Sequence, residues 1–235
     1  MINKAVRHGL LYLALATAVS LQADTIVLGI PAETANCDPF GCPAFFGLGT
    51  YQQVYAASSF PGVITIDDIG FYQSQILNNG GVLAGGTYTM SLSYTSASPG
   101  ALDFSDGPSA NIAPGTEAEF FSAALPALTP YLTENILTFS GTPFVYDPAD
   151  GNLLLTVSVT GGASSPPYLF LDESAPSSVT SSAYFGTVDG ANATGLVTGM
   201  NYTPLTGSST PEPGSLLLVL AGIGLIGYQG RRRTS

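Results

Sequence analysis

A strict alternation of polar and apolar side chains over residues 87–94 (TYTMSLSY) is the clearest structural signal in this chain. A period of two residues is typical of a β-strand with one buried face. Short apolar or alternating segments of the same kind occur at 25–28, 63–66, 69–72, 136–139, 153–159, 182–185 and 195–198. Turn signals rich in glycine and proline separate these segments, for example at 147–151 and 166–167. The pattern therefore predicts a β-sandwich or a β-barrel.

The strand-like segments lie within residues 24–205, which we predict to form one all-β domain. That length is sufficient for a single domain with a sizeable hydrophobic core. We expect a single antiparallel β-sandwich of jelly-roll-like type. Residues 117–125 alone have a modestly helical pattern.

The N-terminus has the pattern of a secretory signal peptide. Lys4 and Arg7 precede an apolar run over residues 9–21, which is too short for a comfortable transmembrane helix. Small residues allow cleavage after Ser20 or after Ala23. We assign residues 1–23 to this signal and expect the chain to be exported.

The distribution of charge excludes several kinds of chemistry. The chain has 5 Lys and Arg, 16 Asp and Glu and 1 His, which gives a formal net charge of −11. Residues 24–212 contain all the acidic residues and no Lys, Arg or His. This stretch has no base for a Ser-His-Asp or Cys-His catalyst and no histidine for zinc. It also has no cation to neutralise a nucleic-acid backbone, so we predict no enzyme and no nucleic-acid partner.

Three features follow one another at the C-terminus. A linker over residues 206–214 contains Pro211-Glu212-Pro213, and a segment over residues 215–235 combines an apolar run with Arg231, Arg232 and Arg233. A helix of about 14 apolar residues would span about 21 Å, which is short of a membrane core of about 30 Å. Arginines at its end favour the cytoplasmic face.

This ordered tail resembles the PEP-CTERM sorting signal of exported proteins in Gram-negative bacteria. The resemblance implies transient anchoring in the inner membrane and processing by a membrane transpeptidase called exosortase. It also implies delivery to the cell envelope, the outer surface or the extracellular matrix. A simple C-terminal membrane anchor is the alternative. Body segments at 51–55, 64–66, 86–93 and 144–155 also resemble exported PEP-CTERM proteins, which implies a β-sandwich and no particular activity.

The only two cysteines, Cys37 and Cys42, frame a short segment that contains Pro39 and Gly41. Exported chains with two cysteines usually pair them. We predict a disulfide that closes a small loop. Two thiols with no histidine are too few ligands for a structural zinc site.

Residues 147–152 (DPADGN) concentrate oxygen-bearing side chains at Asp147, Asp150 and Asn152. Calcium binds several carboxylate and carbonyl oxygens, often in such a loop, although the spacing does not match an EF-hand. The favoured interpretation is an ordinary turn, which Asp-Pro begins and Asp-Gly ends. A calcium site is the alternative and would be the only cofactor.

Carboxylates and aromatic residues offer two further hypotheses. Asp67 and Asp68 are adjacent, and successive side chains of a strand point to opposite faces unless a bulge intervenes. A glycosidase needs two carboxylates at a defined separation across a cleft. The chain has 12 Tyr and 12 Phe, which could stack on sugars, but aromatics at alternating strand positions normally fill the core.

The favoured function is that of a non-enzymatic exported protein with a structural or interactive role in the envelope or an exopolysaccharide matrix. A glycan-binding module, with or without the help of calcium, is the alternative. A glycoside hydrolase that works through carboxylates is less favoured. The expected partners are exosortase, exopolysaccharide and, before processing, the membrane through the C-terminal helix.

Overall fold

The computed structural model describes residues 23–42, 49–74, 81–128, 136–163, 166–176, 178–186 and 189–205. This part of the chain forms twelve strands. They are β1 (Asp24–Leu28), β2 (Pro31–Asn36), β3 (Thr50–Tyr55), β4 (Ile64–Tyr72), β5 (Gly85–Thr95), β6 (Ala118–Leu125), β7 (Ile136–Tyr146), β8 (Asn152–Ala163), β9 (Leu171–Ser174), β10 (Thr180–Phe185), β11 (Gly190–Asn192) and β12 (Thr198–Pro204). Short 3-10 turns at Ala57–Ser59 and Pro108–Asn111 are the helical elements of the described residues.

The strands form two main sheets and a small third one. The four-stranded sheet has the order β1-β12-β4-β7, and the six-stranded sheet has the order β11-β10-β3-β8-β5-β6. Strands β2 and β9 pair separately. All pairs between these strands are antiparallel. The prediction of an all-β antiparallel fold is confirmed.

The order of the strands is that of a jelly roll. When β2, β9, β10 and β11 are left out, eight strands remain and can be renumbered 1 to 8 in chain order. The four-stranded sheet then has the order 1-8-3-6, and the other sheet has the order 2-7-4-5. This is the arrangement that two Greek keys produce in a double-sheet jelly roll, and β10 and β11 extend it at the edge of β3.

The core lies between the two sheets, because alternating residues of both sheets point inward. In β5 the alternation seen in the sequence buries Tyr88, Met90 and Leu92, as predicted. The four-stranded sheet contributes Leu28, Ile64, Ile66, Ile69, Phe71, Leu137, Phe139, Tyr146 and Met200. Its partner contributes Tyr51, Tyr55, Tyr88, Met90, Leu92, Phe120, Leu153, Leu155 and Val157.

The helical pattern over residues 117–125 is misleading, because Ala118–Leu125 is strand β6. It pairs along β5 from Gly86 to Leu92. Local helix propensity is small in free energy, so hydrogen bonding to an available strand edge and the burial of Phe120 decide the conformation.

A second, smaller cluster covers part of the outer face of the six-stranded sheet. It consists of Val54, Leu102, Leu154, Ala183 and Phe185, with Ala97 and Ile112 packed against it. The Asn111 side-chain amide donates a hydrogen bond to Gln52 Oε1 at 2.9 Å and ties this covering loop to β3. Among the described residues, this loop therefore packs on part of the outer face of the six-stranded sheet.

Candidate binding face on the four-stranded sheet

A bulge in β4 brings two neighbouring carboxylates to the same face of the sheet. Ile66 and Ile69 are both fully buried in the core, and two residues lie between them. The register with β12 shifts between Asn201 and Tyr202, which lie opposite Asp68 and Ile66, so Asp67 is the extra residue of β4. In a regular strand the two carboxylates would point to opposite faces. Here they point to the same face, because the bulge inserts one residue into the strand.

Neighbouring strands confirm that both carboxylates face outward. Thr203 lies opposite Thr65, and its hydroxyl lies 3.2 Å from Asp67 Oδ2, to which it donates. Asn201 lies opposite Asp68, and its amide nitrogen donates to Asp68 Oδ2 at 3.2 Å. Asp67 and Asp68 are both half-buried.

A chain of hydrogen bonds fixes these side chains across three strands. The Thr25 hydroxyl of β1 donates to Asn201 Oδ1 of β12 at 2.6 Å. The Asn201 amide in turn donates to the Asp68 carboxylate of β4. Asn201 is thereby held with a defined orientation, and the carboxylate is placed at the border of a depression in the sheet.

The depression, which we call the glycine groove, has a volume of about 60 Å³. Its lining consists of Asp68, Gly70, Ile136, Thr138, Gly199 and Asn201. Gly70 and Gly199 lie opposite each other on β4 and β12 and form the floor. A Cβ atom on Gly70 would lie 2.6 Å from Ile136 Cγ2, and one on Gly199 would lie 3.3 Å from Tyr72 Oη. A side chain at position 70 would therefore displace Ile136, whereas one at position 199 would require Tyr72 to shift by a few tenths of an ångström.

The groove presents hydrogen-bond donors, acceptors and apolar surface together. Asp68 supplies acceptors, Asn201 supplies both an amide donor and a carbonyl acceptor, and the exposed Thr138 supplies a hydroxyl. Ile136 adds an aliphatic wall. Such a combination suits a small polar ligand that both donates and accepts hydrogen bonds.

The predicted disulfide between Cys37 and Cys42 is confirmed. Its loop inserts Phe40 into the core, where the ring centroid lies 4.8 Å from that of Phe71. A Cβ atom on Gly41 would overlap the Leu169 carbonyl oxygen, so only glycine fits at this position. The disulfide therefore holds a structural loop against one end of the sandwich.

Asp38 lies inside this loop and is 7% exposed. Its Oδ1 atom lies 3.2 Å from Cys42 Sγ, and its backbone N–H donates to Asn36 Oδ1 at 2.9 Å. Burial raises the pKa of the Asp38 carboxyl to about 7. Cys37, Asp38 and Cys42 form the one group of three metal-ligating residue types in the described ranges, but its two sulfur atoms are bonded to each other.

Residues 147–152 form the turn between β7 and β8, and two tyrosines hold it. The Asp147 N–H donates to Tyr94 Oη at 2.8 Å, and Tyr146 Oη donates to the Gly151 carbonyl at 2.7 Å. The Asp147 carboxylate accepts from the Ala149 N–H at 2.9 Å.

Asn152 is also engaged in structural hydrogen bonds. Its Oδ1 atom accepts from Ala57 N at 2.8 Å, and its amide nitrogen donates to the Ala97 carbonyl at 2.9 Å. These contacts suit the interpretation as a turn. A calcium site formed by Asp147, Asp150 and Asn152 stays a prediction.

The sequence did not indicate most of the glycine groove. The Asp67-Asp68 doublet was visible, but the opposition of Gly70 to Gly199 and the role of Asn201 depend on pairing between distant strands. The signal that could have directed attention there is an acidic doublet inside an otherwise apolar strand, since two successive polar residues within an alternating pattern can mark a bulge.

The domain is an all-β sandwich whose strands have the order of a jelly roll. Residues 209–233 match the family model of the PEP-CTERM protein-sorting motif, so the chain is a PEP-CTERM domain-containing protein. The predicted resemblance of this tail to the PEP-CTERM sorting signal is confirmed. The motif marks an exported bacterial protein that exosortase sorts at the membrane. No curated protein and no solved structure matches the chain.

The predicted signal peptide and the C-terminal linker and helix lie outside the described residues, apart from Ala23. Pro211, Glu212, Pro213 and the three arginines at 231–233 belong to that part of the chain. Within the described ranges, we find no helix with the length and apolar character that a membrane crossing requires.

Proposed function

We propose that this chain is a non-enzymatic protein of the bacterial cell envelope or extracellular matrix. The observation that carries the proposal is the sorting motif over residues 209–233, which follows a sandwich domain. In this proposal the tail delivers the chain through exosortase, and the sandwich makes the contacts that hold it in the envelope or the surrounding exopolysaccharide.

The surroundings of the carboxyl groups support a non-enzymatic role. A glycosidase acid needs a raised pKa and access to the scissile bond. Burial raises the pKa of both Asp38 and Asp172, but Asp38 is buried in the disulfide loop beside Cys42, and Asp172 is hydrogen-bonded to the Ser74 side chain. Asp67 and Asp68 lie on an outer sheet face, where neighbouring side chains already donate to them.

Fractionation of a tagged full chain tests the delivery step. In cells with exosortase we expect the protein in the outer fractions or the medium, and in cells without it we expect retention in the inner membrane. Replacing Pro211, Glu212 and Pro213 by alanine should reproduce that retention. Alanine substitutions at Thr206 and Ser208 in the linker are the matched control and should leave the location unchanged. The same distribution with and without exosortase would contradict the proposal.

A second candidate function, glycan binding, is favoured by the glycine groove. Its carboxylate, amide, hydroxyl and aliphatic groups suit sugar hydroxyls and C–H groups. Pull-down with polysaccharides separates this function from a purely structural one. Release of soluble sugar from the same polysaccharides would instead indicate a glycoside hydrolase and would overturn the non-enzymatic role.

A further inference from the structure

We infer that the glycine groove is a binding subsite for one neutral hexopyranose unit of a polysaccharide. The inference rests on the second candidate function and identifies its site and ligand class. The groove has a volume of about 60 Å³, which is much smaller than a hexose, so in this inference only a hydroxyl-bearing edge of the ring enters it. The remainder of the ligand extends over the outer face of the four-stranded sheet.

The hydrogen-bonding groups of the groove match adjacent sugar hydroxyls. A hydroxyl donates one hydrogen bond and accepts others, so its best partners are a carboxylate acceptor beside an amide or hydroxyl. Asp68 accepts, Asn201 can do both, and Thr138 lies on the opposite wall. Because Thr25 and Asn201 hold this arrangement before a ligand arrives, little conformational entropy is lost on binding.

The same groups argue against a calcium ion as the ligand. Calcium takes six to eight oxygen ligands and no N–H donors. The Asn201 amide nitrogen points at Asp68 Oδ2, and the Thr203 hydroxyl points at Asp67 Oδ2. A cation beside either carboxylate would meet these positively polarised hydrogens. The face therefore favours a ligand with its own hydroxyl groups.

The charge of the domain selects a neutral sugar. Residues 24–212 contain no Lys, Arg or His, so no basic side chain in that stretch can pair with a uronate or a sulfate. Asp67 and Asp68 would repel such groups at short distance. A neutral hexose has no such penalty.

Apolar side chains cover the floor of the groove. Gly70 and Gly199 are buried, because Ile136 packs over Gly70 and the Tyr72 ring packs over Gly199. Ile136 and the half-buried Tyr72 flank the floor with apolar surface, which can pack against sugar C–H groups. The bulge at Asp67 leaves the Asp68 carboxylate on the outer face of β4, where it lines this space.

The test is a titration of the purified full chain, labelled with ¹⁵N, followed by NMR. The probes are the methyl glycosides of glucose, galactose and mannose, a neutral glucan, a mannan and a galactan, with alginate as the anionic comparison and calcium chloride as the cation. We expect at least one neutral probe to shift the amide signals of Gly70, Gly199 and Asn201, whereas alginate does not. A shift of these signals by calcium alone, or no shift with any neutral probe, would overturn the inference.

Two variants locate the binding. Asp68→Asn keeps the size of the side chain and removes its charge, so we expect the affinity for the active probe to fall about tenfold or more. Gly70→Ala places a Cβ atom 2.6 Å from Ile136 Cγ2 and so displaces the aliphatic wall, which should lower the affinity independently of charge. Asp150→Asn, in the turn between β7 and β8, is the matched control and should bind as the unchanged chain does. Equal affinity of all these folded variants would show that the groove is not the subsite.

The design separates this inference from the proposed function. If polysaccharide pull-down succeeds while the amide signals of the groove residues do not shift, glycan binding is supported and the assignment of the groove as its subsite is refuted. If fractionation still depends on exosortase while all neutral probes fail, the delivery proposal stands and the subsite is refuted.

Discussion

Replacing Asp38 by asparagine should change how the stability of the domain depends on pH. The carboxyl is 7% exposed, and burial raises its pKa from 3.8 to about 7 in the folded chain. Between these two values the folded state keeps a proton that the unfolded state has released. Folding stability therefore falls as pH rises through this window, and the loss is complete above pH 7.

The size of the effect follows from the difference between the two pKa values. Each pKa unit corresponds to about 1.4 kcal/mol, so the full difference amounts to about 4 kcal/mol at most. Asparagine resembles the protonated carboxyl in shape and cannot ionise. The variant should therefore be about as stable as the original chain near pH 4 and more stable by up to about 4 kcal/mol near pH 8.

Urea unfolding of the disulfide-bonded protein at about pH 4, 6 and 8 measures this difference. The other carboxyl groups titrate in both proteins, so their contribution cancels in the comparison. Asp150→Asn is the control for the loss of one acidic residue elsewhere. The difference in free energy of unfolding between the Asp38→Asn variant and the original chain should change with pH. If this difference is the same at all three pH values, the claim that burial raises the pKa of Asp38 is refuted.

Three further predictions concern the disulfide loop and the turn between β7 and β8. Replacing both cysteines by serine should lower the free energy of unfolding by about 2 kcal/mol, because the short loop loses its constraint, and urea unfolding at neutral pH would show it. Gly41→Ala should cost about 2 kcal/mol or more because its Cβ overlaps a backbone carbonyl, whereas Gly49→Ala, whose Cβ would be 3.8 Å from its nearest neighbour, should cost far less in the same assay. If the turn holds calcium, added calcium should raise the melting temperature and Asp150→Ala should abolish that rise; an unchanged melting temperature would leave the turn as purely structural.

The parts of the fold that could be predicted are those that depend on local pattern. The alternation in β5 identified Tyr88 and Met90 as core residues, and the Asp-Pro and Asp-Gly steps identified the turn at 147–151. Both signals arise from neighbouring residues in the chain, through strand geometry and through the backbone preferences of proline and glycine.

The parts that could not be predicted depend on pairing between distant segments. The bulge at Asp67 exists because Ile66 pairs with Tyr202 while Asp68 pairs with Asn201, and no local pattern specifies that shift. Strand β6 forms because β5 offers an edge, against the helical tendency of its own sequence. The groove combines residues of β4, β7 and β12, so it could not be recognised before the order of the strands was known.

The intact mass of the protein recovered from cells with and without exosortase tests the central claim most directly. With exosortase, we predict a mass that lacks the segment containing Arg231, Arg232 and Arg233, in protein recovered outside the inner membrane. Without exosortase, we predict the full tail in protein held at the inner membrane. The same tail mass and the same location in both strains would contradict the account that residues 209–233 sort this domain.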